Sequence, residues 1–359
     1  ILESPYIKRN LFVYEAYNNG KYTIAEKQQM FPHLFNSLSV VIPVLSSTFA
    51  SVGRFLKHAG NMSLGMLIID ESGQAVPQSA LGAIYRTRRA VVVGDPLQVE
   101  PVVTIPKVLI DILADSTCVA NEYKVIENSA QTFADNINEF NGMIGERQVG
   151  CPLVVHRRCI EPMFSISNLI SYDNRMFNKT NKKEEYLKPE NPFLIKKSGW
   201  INVEGVENGG KDHFVKNQAE RVCQLMEDAV HIYSDLFETD DKIFIITPFR
   251  TVAESMRKFI ISYFSAKGYD KEILSKWTKN CVGTVHTFQG KDANEVLLVL
   301  GCSNKSAGAM NWVVKKANIL NVACTRAKYR IAFIGNINDW KNRRYFREFI
   351  PKFIDTIDA

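Results

Sequence analysis

The chain has 359 residues, enough for two domains of ordinary size, and its 46% apolar and 23% charged shares are those of a soluble globular protein. No apolar run reaches the roughly 18–20 residues a membrane helix needs and no secretory signal opens the chain, so neither a membrane partner nor export is expected. A net charge of +6 is mild; it favours an acidic partner without naming one, and the basic clusters Arg86, Arg88, Arg89 and Lys341, Arg343, Arg344 read as solvated faces or phosphate contacts.

Residues 1–38 are polar and aromatic, with a turn at Asn18-Asn19-Gly20 and a helical pattern over 24–30. Residues 39–45 read as a buried strand leading into Ser46, Ser47 and Thr48, whose hydroxyls suit helix capping or phosphate contact. The apolar run 66–69 predicts a buried strand that stops at two carboxylates, Asp70 and Glu71. Ligands of open α/β sheets sit beyond the C-terminal strand ends, so this pair reads either as an acidic turn or as a site. In phosphate-transfer chemistry such an Asp holds Mg²⁺ and such a Glu orients or deprotonates the attacking water.

A second strand, 90–93, ends in Gly94-Asp95-Pro96-Leu97-Gln98, a sharp exit with an amide that can donate and accept near a γ-phosphate. Beyond it, 105–113 looks helical and 127–146 reads as a polar connection. The second half opens near His156, and 178–198, rich in Lys, Glu and Asn, reads as an exposed loop. Then come a strand at 200–206, a helix at 215–237, and strands at 243–246, 282–285, 296–300 and 331–334. Strands alternating with helices over both halves predict an α/β fold of two parallel-sheet units.

Seven cysteines without a C-x-x-C pair argue against a zinc site or disulfide framework. They favour a reducing compartment, the cytoplasm or the nucleus.

Taken in order, these segments resemble the motif series of superfamily 1 helicases, in particular the Upf-like branch that includes many bacterial AAA-domain proteins. Asp70-Glu71-Ser72-Gly73-Gln74 looks like motif II and Gly94-Asp95-Pro96-Leu97-Gln98 like motif III. Thr247-Pro248-Phe249-Arg250 is similar to motif IV, and the stretch from Gly283 through Thr284, His286 and Gly290 to Lys291 looks like motif V. Asn321 to Lys328 looks like motif VI, and Ser46-Ser47-Thr48 resembles motif Ic.

The resemblance implies two RecA-like parallel-sheet domains of P-loop NTPase type, the first incomplete: 1–150 with motifs Ic, II and III, and 151–359 with motifs IV, V and VI. It implies a monomeric ATP-dependent helicase or translocase, with ATP and Mg²⁺ between the cores and single-stranded DNA or RNA across the top. By the same resemblance Asp70 is the Mg²⁺ ligand, Glu71 serves the water, Gln98 completes the catalytic set and Arg326 is an arginine finger. Gly94, Asp95, Arg250, Gly290, Lys291 and Asp292 line the nucleotide, and Ser47, Thr48, Thr284 and His286 hold the nucleic-acid backbone. A satisfied core histidine is the alternative for His286, and a surface arginine for Arg326.

The P-loop, Gly-x-x-x-x-Gly-Lys followed by Ser or Thr, should precede Asp70, and nothing there matches it. The run from Gly205 to Lys211 imitates its glycines, but Asp212 stands where the Mg²⁺-binding hydroxyl belongs. With Ile1 in first place, the expectation is a C-terminal portion that alone hydrolyses little ATP. A non-catalytic nucleic-acid-binding or scaffold protein, or an RNA-remodelling ATPase that never unwinds duplexes, is the alternative.

Overall fold

Helices and strands alternate in both halves of the chain, and each half builds its own parallel sheet. The computed structural model describes residues 4–357 apart from 125, 127, 146, 181–192, 208, 210 and 211. By contact the chain divides into two units, Ile1–Pro96 with Glu100–Glu139, and Leu97–Val99 with Phe140–Ala359. None of the described helices is long and apolar enough to cross a membrane.

The first unit opens on helices α1 (Pro5–Asn18) and α2 (Ile24–Val41), joined by a turn at Gly20, whose φ is +79°. A reciprocal cap starts α2, with Thr23 and Glu26 bonding each other's backbone N–H, and Phe31, Leu34 and Phe35 form its buried face. This helix corrects the strand expected at 39–45. The helix propagates through Ser37 and Ser39, whose hydroxyls donate back to the His33 and Phe35 carbonyls, and ends at Val41. Ile42, which precedes Pro43 and so is turned away from helix, leads an exposed irregular stretch that contains Ser46 and Ser47.

After α3 (Phe49–Phe55) come β1 (Leu64–Ile69), α4 (Pro77–Tyr85) and β2 (Thr87–Val92), with β1 and β2 parallel and in register from Leu64↔Thr87 to Ile69↔Val92. The strand expected at 66–69 is present but buried on one face only. Leu67, Ile69 and Val92 pack with Ala80 of α4 and Ala130, whereas Met66 and Ile68 are 58% and 66% exposed. Among the described residues these two strands have no third partner in their sheet, and alternation sends every second side chain to the open face. Helix α5 (Lys107–Ser116) follows the expected pattern. The polar connection expected over 127–146 instead holds α6 (Ala130–Ile137), started by Ser129 and Thr132, whose Gln131 and Asp135 are buried.

The second unit begins with an antiparallel pair, β3 (Gly142–Ile144) and β4 (Arg147–Val149). A short parallel pair, β5 (Val155–His156) and β6 (Phe177–Asn178), brackets α7 (Met163–Ser171). Most of the loop expected at 178–198 lies outside the described residues; of those described, Leu194 and Ile195 are buried. The main body then runs β7 (Gly199–Asn202), α8 (Lys216–Ile232), β8 (Ile243–Thr247), α9 (Arg250–Ser265), α10 (Lys271–Cys281), β9 (Val282–Thr284) and β10 (Ala293–Val299). It closes with α11 (Ala307–Val313), α12 (Asn318–Thr325), β11 (Ala327–Gly335), α13 (Ile337–Trp340), α14 (Phe346–Phe353) and β12 (Asp355–Thr356).

Six of these strands form one sheet in the order β12-β7-β11-β10-β8-β9, every pair parallel. The α/β class and the parallel sheet are thus as expected. β8 is buried along its whole length and β10 nearly so, as strands covered on both faces must be. Glu295 on β10 is a fully buried carboxylate. It accepts from Leu194 N at 2.9 Å, Ile195 N at 2.6 Å and the Tyr233 hydroxyl at 2.6 Å, so the chain ahead of β7 hangs on it.

Candidate functional site

In the first unit the site residues stand where β1 and β2 end. Asp70 is exposed and its Oδ1 accepts the Glu71 N–H at 2.9 Å, while Glu71 Oε2 accepts from Gln74 Nε2 at 3.2 Å. Glu71 has φ 52° and ψ 36°, a left-handed conformation that costs a non-glycine residue about 1–3 kcal/mol and persists only where its surroundings impose it. The imposing contacts belong to the next residue. Ser72 is fully buried, its N–H donates to Val93 O at 3.0 Å, and its hydroxyl lies 2.9 Å from Val93 O and 2.5 Å from Gln131 Oε1. Gln131 in turn donates to Asp135 Oδ1 at 2.7 Å.

Two glycines let the strand exits touch. A Cβ on Gly94 would stand 2.5 Å from Ser72 Oγ and 2.7 Å from Gly73 N, and one on Gly73 would stand 2.8 Å from Asp95 O. The segment carrying Asp70 and Glu71 is therefore locked against the one carrying Gly94 and Asp95. Gly94→Ala should cost about 1–3 kcal/mol by overpacking. Gly53→Ala on α3, where a Cβ meets nothing within 4 Å, should leave the chain as stable or slightly more so. Thermal melts of the two variants make the comparison, and equal melting temperatures would remove the claim that the exits interlock.

Leu97–Val99 belongs by contact to the second unit. Asn318 donates its side-chain N–H to Gln98 O, and Asn321 donates to Leu97 O at 3.0 Å and lies 3.0 Å from the Tyr172 hydroxyl. Asn321 Oδ1 accepts from Ser167 Oγ at 2.5 Å, and the asparagine is wholly buried. Helix α12 thus holds the backbone at Gln98, a role for Asn318 and Asn321 that sequence reading missed; no local pattern pairs residues more than 200 positions apart.

Arg326 caps the C-terminal end of the same helix and is 0% exposed, which rules out the surface-arginine reading. Its Nε donates to Val322 O at 3.2 Å, one terminal nitrogen to Lys291 O at 2.9 Å and Phe288 O at 3.3 Å, and the other to Thr325 Oγ1 at 3.3 Å. The guanidinium therefore shapes the turn that carries Gly290, where φ is +79°, and Lys291, which is exposed. Asp292 beside them binds Lys328 Nζ at 2.7 Å and lies 3.9 Å from Arg158 Nε. Gly290, Lys291, Asp292, Arg326, Lys328 and Arg158 form one largely basic cluster, in which Lys328 and Arg158 are additions to the expected set.

The remaining expected residues are placed as follows within their own units. Thr284 ends β9 in register with Thr247 of β8, and its hydroxyl lies 3.2 Å from that of Thr287. His286 is exposed, so the core-histidine alternative gives way. Arg250 is 87% exposed on the first turn of α9 and pairs with Glu254 at 2.8 Å. Ser47 and Thr48 are exposed in the first unit, and Thr48 stands at the N-cap of α3 without making a side-chain cap bond.

Comparison with known proteins bears on this arrangement. Two family models, each described as an AAA domain, match residues 139–338 and 13–105. The chain is 22% identical to the probable helicase senataxin of Mus musculus over 88% of its own length and 11% of that protein's. It is 24% identical to an uncharacterized ATP-dependent helicase of Methanocaldococcus jannaschii, over 79% and 38% of the two lengths. It is 26% identical to regulator of nonsense transcripts 1 of Caenorhabditis elegans, over 80% and 24%. The chain thus spans well under half the length of each.

Proposed function

Because this chain belongs to the AAA domain family, whose model takes in more than half of it, we propose that it works in an ATP-driven motor on single-stranded nucleic acid. Two of the relatives above are named as helicases, which agrees with the resemblance to the Upf-like branch of superfamily 1. One observation carries the proposal: the Asp70–Glu71 pair projects from a strand end whose backbone is strained at Glu71 and locked by Ser72, Gly73 and Gly94. An acidic turn needs no such interlock.

The donor set suits magnesium, which takes hard oxygen ligands and suits one or two carboxylates plus phosphate. Asp70 would hold it; when bound, Mg²⁺ neutralises charge developing on the phosphate oxygens. Glu71, one residue on, accepts the proton of the attacking water. Gln98, its backbone fixed by Asn318, orients that water or the γ-phosphate. Arg326 supplies positive charge to the transferring phosphoryl group, with Gly290 and Lys291 in the turn it shapes.

Ser47, Thr48, Thr284 and His286 hold the nucleic-acid backbone rather than read bases, so binding is sequence-tolerant and salt-sensitive. Fluorescence anisotropy with single-stranded oligonucleotides tests this. Affinity should fall steeply between about 50 and 200 mM salt, and Thr284→Ala with His286→Ala should weaken all sequences alike. Absence of binding at low salt, or loss confined to one sequence, would count against the reading.

A further inference from the structure

We propose that Glu207, His213 and Cys302 form a binding site for a zinc-class divalent cation that clamps two loops at the C-terminal edge of the six-stranded sheet. Glu207 and His213 lie between β7 and α8, and Cys302 follows β10; one ligand atom from each comes within 4.8 Å of the others. His213 Nδ1 is 3.0 Å from Glu207 Oε2, a separation that two ligands of one tetrahedral ion can keep.

Three further features single the place out. His213 and Cys302 both have left-handed backbones, φ 55° and 58°, a conformation that non-glycine residues adopt at a cost and that clusters at functional sites. The two loops are tied directly, Cys302 N donating to His213 O at 2.9 Å. Gly301, φ +60°, permits the approach, since a Cβ there would lie 2.7 Å from His213 O.

A plain loop staple explains part of this. Glu207 also accepts from Ser303 N at 2.7 Å, Ser303 Oγ at 3.1 Å and Ser306 Oγ at 2.8 Å, and such a carboxylate needs no metal. It does not explain why a thiol only 2% exposed completes a triangle with an imidazole and a carboxylate. Sulfur, imidazole nitrogen and carboxylate oxygen together are zinc's donor set, whereas magnesium and calcium prefer oxygen alone. Three protein ligands leave a fourth position to water or to Ser306. On binding, Cys302 ligates as the thiolate and its proton goes to solvent, while His213 carries its proton on Nε2.

The clamp would act on the segment that precedes Arg250. The His213 ring packs on Phe249 with centroids 4.8 Å apart, and Asp212 O accepts from Thr251 Oγ1 at 2.7 Å. Absence of a C-x-x-C pair does not bear on such a site, because the fold, and not the spacing, brings the ligands together.

The test is Co²⁺ titration of the whole metal-stripped chain, read by the sulfur-to-cobalt charge-transfer absorption, followed by Zn²⁺ competition. One equivalent of cobalt should give the band and zinc should remove it, with the melting temperature rising with zinc concentration. Cys302→Ser should abolish the band and the zinc-dependent rise, and His213→Ala should weaken binding by ~10-fold or more. The Cys118→Ser, Cys151→Ser double variant, which removes the two exposed thiols, should retain both signals. No band in the unmutated chain overturns the proposal even if Cys302→Ser fails to fold, as does a band that persists in Cys302→Ser or vanishes with Cys118 and Cys151.

Discussion

Arg326→Ala should destabilise the second unit by about 3 kcal/mol and slow nucleic-acid-stimulated ATP turnover of the assembled motor by about 10³–10⁵-fold. The two losses have different origins. The side chain is fully buried, and its guanidinium donates to the Val322, Lys291 and Phe288 carbonyls and to Thr325 Oγ1. Alanine leaves a cavity and removes charge-assisted bonds, of which the one to Lys291 O holds the turn after Gly290. The rate loss follows from withdrawing a fixed positive charge from the transferring phosphoryl group.

Arg326→Lys separates the two effects. Lysine fills much of the space and keeps the charge, but its single ammonium cannot span carbonyls on both sides of the turn. Stability should recover in part while turnover stays low. Melting temperatures and kcat measured on the same preparations decide it, and an alanine variant that is destabilised yet keeps near-normal turnover would assign Arg326 to structure alone.

Glu71→Gln should lower turnover by about 10²–10⁴-fold, the usual contribution of a positioned general base. Stability should hardly change: Glu71 is only partly buried, and glutamine keeps an oxygen for the Gln74 amide. Nucleotide binding should persist, since the amide removes the base and not the Asp70 ligand. Turnover within about threefold of the unmutated protein would return the Asp70–Glu71 pair to an acidic turn.

Much of the fold was legible because β-branched runs alternate with helical periodicity; the strands at 243–246 and 331–334 were found within longer observed ones. The misses have physical causes. Residues 39–45 have a strand's composition, yet α2 had already been nucleated by its cap at Thr23, and propagation carried the helix to Val41. The stretch 127–146 looked like a connection because it is polar, but Gln131 is polar as the buried partner of Ser72, and Asp135 as that of Gln131. At the site, carboxylates at a strand end and a glycine-rich exit could be read locally. The grip of Asn318 and Asn321 on the 97–98 backbone and the convergence of Glu207, His213 and Cys302 could not, since each joins segments about 90 residues or more apart.

Steady-state ATP hydrolysis by a protein that carries these 359 residues together with a P-loop, measured with and without single-stranded DNA or RNA, tests the proposed motor most directly. Turnover that single-stranded nucleic acid strongly stimulates is the expected result. Hydrolysis that nucleic acid fails to stimulate would contradict it.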